Sequence, residues 1–470
     1  MSPTSAARGD EPKRLIDAAP SEMADRALMS REQAQGIIAR VRKASRADEV
    51  AIGLGSRHTT NVRFAANQLS TSGGVWNTEL TVTSSFGKRH GSASTNDLSS
   101  ESIRRVVAQS ESLAKLSPED PEWMPALGPQ AYLPVDAYFD DTAKLTPADR
   151  ARAAMTAMVP ARKAGDLQAA GYLEVNATAR AIGNSRDLFG YHRSTSANYT
   201  LTVRTADGTG SGWAGAEHND WRKIDFATVS ERAIEKARRS RDPVAIEPGR
   251  YTVILEPQAV ADLVQPMMFA LAARSADEGR SAFARPGGGN RLGDRIADSR
   301  VTLISDPQDP ELLAVPFDDE GMPGKRSAWI ENGVLRELVY SRYWAQKKGK
   351  QPNTAPSSIK LIGGTTSTEE MIQSTARGVL VTRLWYLRQV DPRTILYTGL
   401  TRDGTFLIED GKITRAIKNF RFNESPLAIL DNLEALGPAV RVAGTESGGV
   451  VVMPALKVKS FSFTSLSDAV

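Results

Sequence analysis

Apolar residues recur along this chain at two spacings, near 3.6 residues and at two, and the switching between them predicts helices packed on sheets. Over residues 30–47, Ala34, Ile37, Ile38 and Val41 share one face behind a Ser30/Gln33 capping box, which predicts a helix. The apolar run EVAIGLG predicts a short strand, followed by alternating stretches at 61–65 and 76–84 with a turn at STSGG between them. A second helix is expected over 99–115, with Ile103, Val106, Val107, Leu113 and Ala114 on its stripe and Pro118 stopping it.

From residue 117 to 145 the pattern lapses. Pro118, Pro121, Pro125, Pro129 and Pro134 predict an extended strap over the surface. Thr146 and Pro147 then cap and open another helix. Two alternating stretches follow, with Gly183-Asn184 and Asp207-Gly208 as hairpin turns, and residues 225–239 form a further amphipathic helix.

The sharpest break is RDPVAIEPGR, so a boundary is placed near Pro248. This gives a flexible lead-in at 1–29, an N-terminal domain at 30–247 and a C-terminal domain at 248–470. The second begins with the strand YTVILEP, then a helix over 257–275 kinked by Pro266, and is strand-like thereafter. Asn332-Gly333 and Asp410-Gly411 sit in the echoing segments WIENGVLREL and FLIEDGKITRA and predict type I′ hairpins. Between them Ser367 and Glu370 cap a short helix that Gly378 ends. The expected class is α+β: helices on an antiparallel sheet, then a domain dominated by antiparallel strands.

Composition narrows the function. A length of 470 residues fits two cores, and no apolar run is long enough to span a bilayer, so no membrane is expected. The N-terminus has no hydrophobic segment of the secretory kind, which points to the cytoplasm. A net charge of +4, spread along the chain, gives no reason to expect nucleic acid as a partner. With no cysteine, the chain offers neither a thiol nucleophile nor thiolate zinc.

Candidate chemistry is sparse. His58, His90, His192 and His218 have no metal-pair spacing and read as structural. Adjacent acids occur at Asp277-Glu278 and at Asp318-Asp319-Glu320, where Gly321 and Pro323 predict a turn. Such pairs share protons or bind cations through oxygen, and more often cap turns. The segment RPGGGNRLGD lacks the ending of a phosphate-binding loop and reads as a loop.

Six segments in order resemble the TldD/PmbA family: GSASTNDLSSESIRRVV, RAIGNSRDLFGY, VPFDDEGMPGKRSAWIENGVLRELVYSRYWA, SSIKLIGGTTSTEEMI, GVLVTRL and FLIEDGKI. The resemblance implies a cytoplasmic protease of two related subunits, TldD and TldE (PmbA), that cleaves unfolded or extended peptides. It implies zinc only in the TldD-type subunit, on two histidines of HExxxH and a late cysteine. Here the comparable stretch, MMFALAARSADEGRSAF, holds no histidine, and the late segment offers Thr445, Glu446 and Ser447. The resemblance therefore implies a metal-free, TldE-like subunit with a TldD-like HExxxH-bearing partner, with Asp277 and Glu278 as the catalytic candidates in place of a zinc site. Asp318, Asp319, Glu320, Gly321 and Arg326, with Thr398, Gly399 and Arg402, are the expected groove or interface residues. Two alternatives stand beside it: a self-sufficient carboxylate-dependent hydrolase, and a peptide-binding or regulatory protein without hydrolytic activity.

Overall fold

The computed structural model describes residues 27–444 and 449–467. Two sheets carry the fold, one built from residues 49–218 and one from residues 250–466. No described helix is long and apolar enough to cross a membrane.

The first sheet is six-stranded and antiparallel throughout, in the order β3-β2-β1-β4-β5-β6. Its strands are β1 (Glu49–Ala65), β2 (Gln68–Phe86), β3 (Arg89–Thr95), β4 (Leu167–Asn184), β5 (Phe189–Thr205) and β6 (Ser211–His218). Alternate residues of β1, Val50, Ile52, Leu54, Val62 and Phe64, are buried, while Ala51, Arg57 and Arg63 between them are exposed. The buried face is covered by four helices, Arg31–Ala44, Ser100–Leu116, Pro147–Ala164 and Phe226–Arg239. All four begin at a side-chain cap: Ser30 and Thr146, expected as caps from the sequence, and Ser99 and Asp225, expected only as helix starts.

Several local expectations are corrected. The hairpin turn falls at Ala66 and Asn67, both at positive φ, and STSGG lies inside β2. Asn67 fixes that turn from a distance: its side chain donates to Leu167 O at 2.7 Å and accepts from Ala169 N at 2.8 Å. The β4–β5 turn lies beyond Gly183-Asn184, at residues 185–188, where the Asn184 side chain accepts from the amides of Arg186 and Leu188. Leu113 is 42% exposed, and its expected place on the buried stripe is taken by Ser110 and Glu111. Glu111 accepts from Arg46 N at 2.5 Å and from Ser45 Oγ at 3.0 Å, which joins the first two helices. Most of the lead-in lies outside the described residues, but Met29 at its end is buried and bonded to Ser56 and Tyr191.

The strap is extended as expected, apart from a helical turn at Asp140–Ala143. It crosses the open face of the first sheet, bridged to β5 through Ala137 and Ser194.

The second sheet holds thirteen strands, β7 to β19. These are β7 (Arg250–Leu255), β8 (Leu303–Ser305), β9 (Ser327–Glu331), β10 (Val334–Leu335), β11 (Ser358–Leu361), β12 (Arg377–Val381), β13 (Leu384–Asp391), β14 (Leu396–Thr401), β15 (Thr405–Glu409), β16 (Lys412–Ala416), β17 (Phe420–Glu424), β18 (Leu433–Arg441) and β19 (Val450–Leu466). The main path runs β10-β9-β8-β11-β19-β7-β12-β15-β16, with β13, β14, β17 and β18 branching from it. Antiparallel pairing dominates, and among the described strands only β11–β19 and β7–β12 are parallel. The two echoing hairpins, β9 (Ser327–Glu331) with β10 (Val334–Leu335) and β15 (Thr405–Glu409) with β16 (Lys412–Ala416), sit at opposite ends of this path. Asn332, Gly333, Asp410 and Gly411 all have positive φ, as a type I′ turn demands. Gly378 belongs to β12 (Arg377–Val381) and ends no helix; a Cβ there would lie 2.6 Å from Thr252 O. The core gathers Trp329, Phe283, Phe420, Phe422 and Phe461, all under 2% exposed, each phenyl stabilising the fold by roughly 1.5–3 kcal/mol relative to exposure.

The kinked helix expected over 257–275 is three pieces. An α-helix covers Pro257–Val264, a 3-10 stretch Gln265–Leu271 and a short helix Ala273–Asp277. Pro266 has no N–H to give the carbonyl four residues earlier, so the α ladder cannot pass it.

Candidate functional site

Helical spacing on this broken segment puts Gln258, Asp262, Pro266 and Phe269 along one stripe, and all four line a cavity of about 420 Å³. Its other walls are Trp213 from β6, Arg383, Leu384, Trp385 and Leu387 at the start of β13 (Leu384–Asp391), Tyr397 from β14 (Leu396–Thr401), and Gly444. The cavity therefore lies between the two sheets.

Arg383 is its centre. The guanidinium carbon lies 4.4 Å from the Trp213 ring centroid and 4.5 Å from that of Trp385, within cation–π range of both. Its Nη1 donates to Asp403 Oδ2 at 3.2 Å. Asp403 is 2% exposed, accepts also from Ser211 Oγ at 2.6 Å, and lies 3.7 Å from Arg402, which itself stacks on Trp385. Burial pulls the Arg383 pKa down, with Asp403 and then Asp262 opposing. Asp262 accepts from Gln258 Nε2 at 3.0 Å and from Leu384 N at 3.2 Å.

The stripe offers an amide, a carboxylate, a proline and a phenyl ring, and the rest of the lining adds no imidazole or thiolate. Asp262 alone, already bonded and facing an arginine, does not fit a tetrahedral zinc site, which takes nitrogen, sulfur or several carboxylate ligands. Among the described residues no three His, Cys, Asp or Glu side chains gather as a metal-ligating group. Thr445, Glu446 and Ser447 lie outside the described residues.

The acids singled out in the sequence are held elsewhere. Asp277 accepts from Asn290 Nδ2 at 2.7 Å and from Trp344 Nε1 at 2.8 Å, and Glu278 pairs with Arg274 and Arg280. Asp318 makes the predicted turn, its carboxylate taking the amides of Glu320 and Met322. Gly321 has φ +87°, and a Cβ there would meet Leu188 at 2.6 Å. Asp319 and Glu320 pair with Arg180 and Arg342 and line a second, larger cavity of about 720 Å³, on the open face of the first sheet beneath Trp123 and Met124 of the strap. Arg326 is an exposed neighbour of Asp306, 3.9 Å away. Gly399 is packed against Phe422, and Thr398 pairs with Arg388 and Asn423. The two expected sets thus belong to different places: Asp319 and Glu320 to the larger cavity, Arg402 to the wall behind Trp385. Sequence reasoning missed Trp213, Arg383, Trp385 and Asp403; the one available signal was the Arg383-x-Trp385 spacing, which puts both residues on one side of an extended segment.

The four histidines are spread over the first sheet. His58 stacks on Trp76, His90 lies 4.0 Å from Asp120, and His218 Nδ1 accepts from Asp220 N at 2.9 Å. His192 is 6% exposed with Nε2 buried and unpartnered, and burial, then Arg180, push it down to about 4. A depressed histidine means that the unfolded chain binds the proton more readily. The stability it contributes is full above pH 6.5 and is lost as pH falls toward 4. Replacing His192 with Gln should flatten that acid limb by roughly 2–3 kcal/mol, read from guanidinium midpoints at pH 7 and pH 4.

Comparison with known proteins places this geometry. Residues 50–114, 140–241 and 248–465 match the descriptions of domain 1, the central domain and the C-terminal domain of the PmbA/TldA metallopeptidases. Metalloprotease PmbA of Escherichia coli O157:H7 is 23% identical over 81% of this chain and 85% of its own length. A metalloprotease of Methanothermobacter thermautotrophicus is 26% identical over 46% of this chain, a match that spans about half of that relative, 49%. TldE from Thermococcus kodakarensis has the same fold, with a TM-score of 0.79 at 20% identity over 92% of this chain and 99% of that one. With all three domain descriptions matched in order along most of its length, the chain belongs to the TldD/PmbA family.

Proposed function

We propose that this chain is the non-catalytic, metal-free subunit of a heteromeric TldD/TldE-type metallopeptidase that degrades or processes extended peptides in the cytoplasm. The observation that carries the reading is the stripe Gln258, Asp262, Pro266 and Phe269, which faces the cavity without an imidazole. In the proposed complex the zinc and the hydrolytic water belong to a TldD-like, HExxxH-bearing partner, and this chain shapes the groove and the register of the peptide. The internal bonding of Asp277 and Glu278 gives the carboxylate-hydrolase alternative no support from geometry.

Gentle purification of the tagged protein from its own cells tests this. The expected result is a complex near twice the mass of this chain, containing an HExxxH-bearing relative, about one zinc per pair, and peptidase activity absent from the separated subunit. Stoichiometric zinc in the pure single chain, or cleavage by it, would sink the reading.

A further inference from the structure

Arg383 is held more firmly than a wall residue requires, and one edge of it is left over. Its guanidinium plane is fixed between Trp213 and Trp385, and among the described residues only Nη1 has a hydrogen-bond partner, Asp403. The Nε and Nη2 edge donates to no described residue, yet neither nitrogen is among the buried unpartnered polar atoms, so that edge is accessible where Arg383 lines the cavity. An accessible guanidinium edge is a rigid fork of N–H donors matched to the two oxygens of a carboxylate.

Two carboxylates face Arg383, Asp403 on Nη1 and Asp262, and among the described residues neither is bonded to the Nε and Nη2 edge. Asp262, the one carboxylate among the described lining residues, already takes the Gln258 amide and the Leu384 N–H. Around the fork, Phe269, 76% exposed, with Trp385, Leu387 and Tyr397, offers apolar contact to the segment bearing that carboxylate. We propose that this cavity is a carboxylate-anchoring site for a peptide, with the Arg383 fork as the anchor and the aromatic walls as the seat of the adjoining side chain. The inference rests on the peptide-handling role proposed above and adds the chemical group recognised. A peptide's terminal carboxylate and an acidic side chain present the same two oxygens.

The test is calorimetric titration of the full-length protein with three N-acetylated hexapeptides of otherwise identical sequence ending in Phe: the free acid, the C-terminal amide, and an amide carrying one internal Glu. The free acid, the Glu-containing amide or both should bind at least about tenfold more tightly than the plain amide. The free acid alone would assign a C-terminal anchor, and the Glu-containing amide alone a side-chain anchor. Equal affinity for all three, or no binding by any, overturns the proposal. Arg383→Lys keeps the charge beside Asp403 but loses the planar fork, and should abolish most of the discrimination; full discrimination in that variant also overturns it. The comparison on the unaltered protein needs no variant to fold. A protein that discriminates but never joins an HExxxH-bearing partner would sink the subunit reading and leave this one standing, and the reverse result would do the opposite.

Discussion

Arg441→Met is expected to lower unfolding free energy by about 4 kcal/mol at neutral pH, the scale found when one member of a buried ion pair is removed. Arg441 ends β18 (Leu433–Arg441) and reaches from the second sheet to the end of β6 in the first. There Nη2 lies 3.3 Å from Glu217 Oε1, while Nη1 donates to Asn219 Oδ1 at 2.8 Å and to Glu311 O at 3.2 Å. The Arg441 and Glu217 side chains are 7% and 12% exposed. Burial pushes the Glu217 carboxyl up, and Arg441 is what opposes it. Without the cation Glu217 is pushed further up. A carboxyl raised in the folded state contributes stability that is lost as pH rises through its folded pKa. The guanidinium midpoint of the variant should therefore drop from pH 5 to pH 8 more steeply than that of the parent. Adding Glu217→Gln should restore most of the loss, because no charge is then left unpaired. A single variant as stable as the parent at pH 8 would show that the junction does not depend on this pair.

Asp403→Asn should cost nearly as much, about 3–4 kcal/mol, and should also disturb the candidate site. Asp403 has φ +57°, a conformation that Asn tolerates, so the exchange removes charge rather than backbone fit. What it leaves is the Arg383 guanidinium, 16% exposed, without its carboxylate. Trp213 and Trp385 should report the change as altered near-ultraviolet dichroism and tryptophan emission. Unchanged spectra and stability would mean that the sandwich holds without Asp403.

Features written locally were legible in the sequence. The Ser30/Gln33 and Ser367/Glu370 capping boxes and the Asn332-Gly333 and Asp410-Gly411 turns each need only a few neighbouring residues, and each is present. The Ala66–Asn67 turn was not legible, because the groups that hold it, Leu167 O and Ala169 N, come from a strand some hundred residues away. The stripe on 257–269 was half legible: the missing histidines were plain, but the change of helix type at Pro266 depended on the full loss of the α ladder. The sandwich joins Trp213 to Arg383 and Trp385, and no period in the sequence links residues so far apart. Acidic pairs drew attention because they are adjacent, and adjacency is also how turns and surface ion pairs are made, as Asp318 and Glu278 show.

Strand β19 (Val450–Leu466) pairs with β7, β11, β17 and β18, and every one of those partners precedes it in the sequence. During synthesis those four strands leave the ribosome before the strand that joins them, and each carries an open row of backbone N–H and C=O groups until it arrives. The first sheet has no such debt, since its strands are complete by residue 218. Folding is thus ordered by position: the N-terminal layer closes early, while the second sheet waits for one late, long-range event of high contact order. A nascent polypeptide halted before residue 450 should present a finished first sheet beside sticky edges, the state in which a chaperone would be needed most.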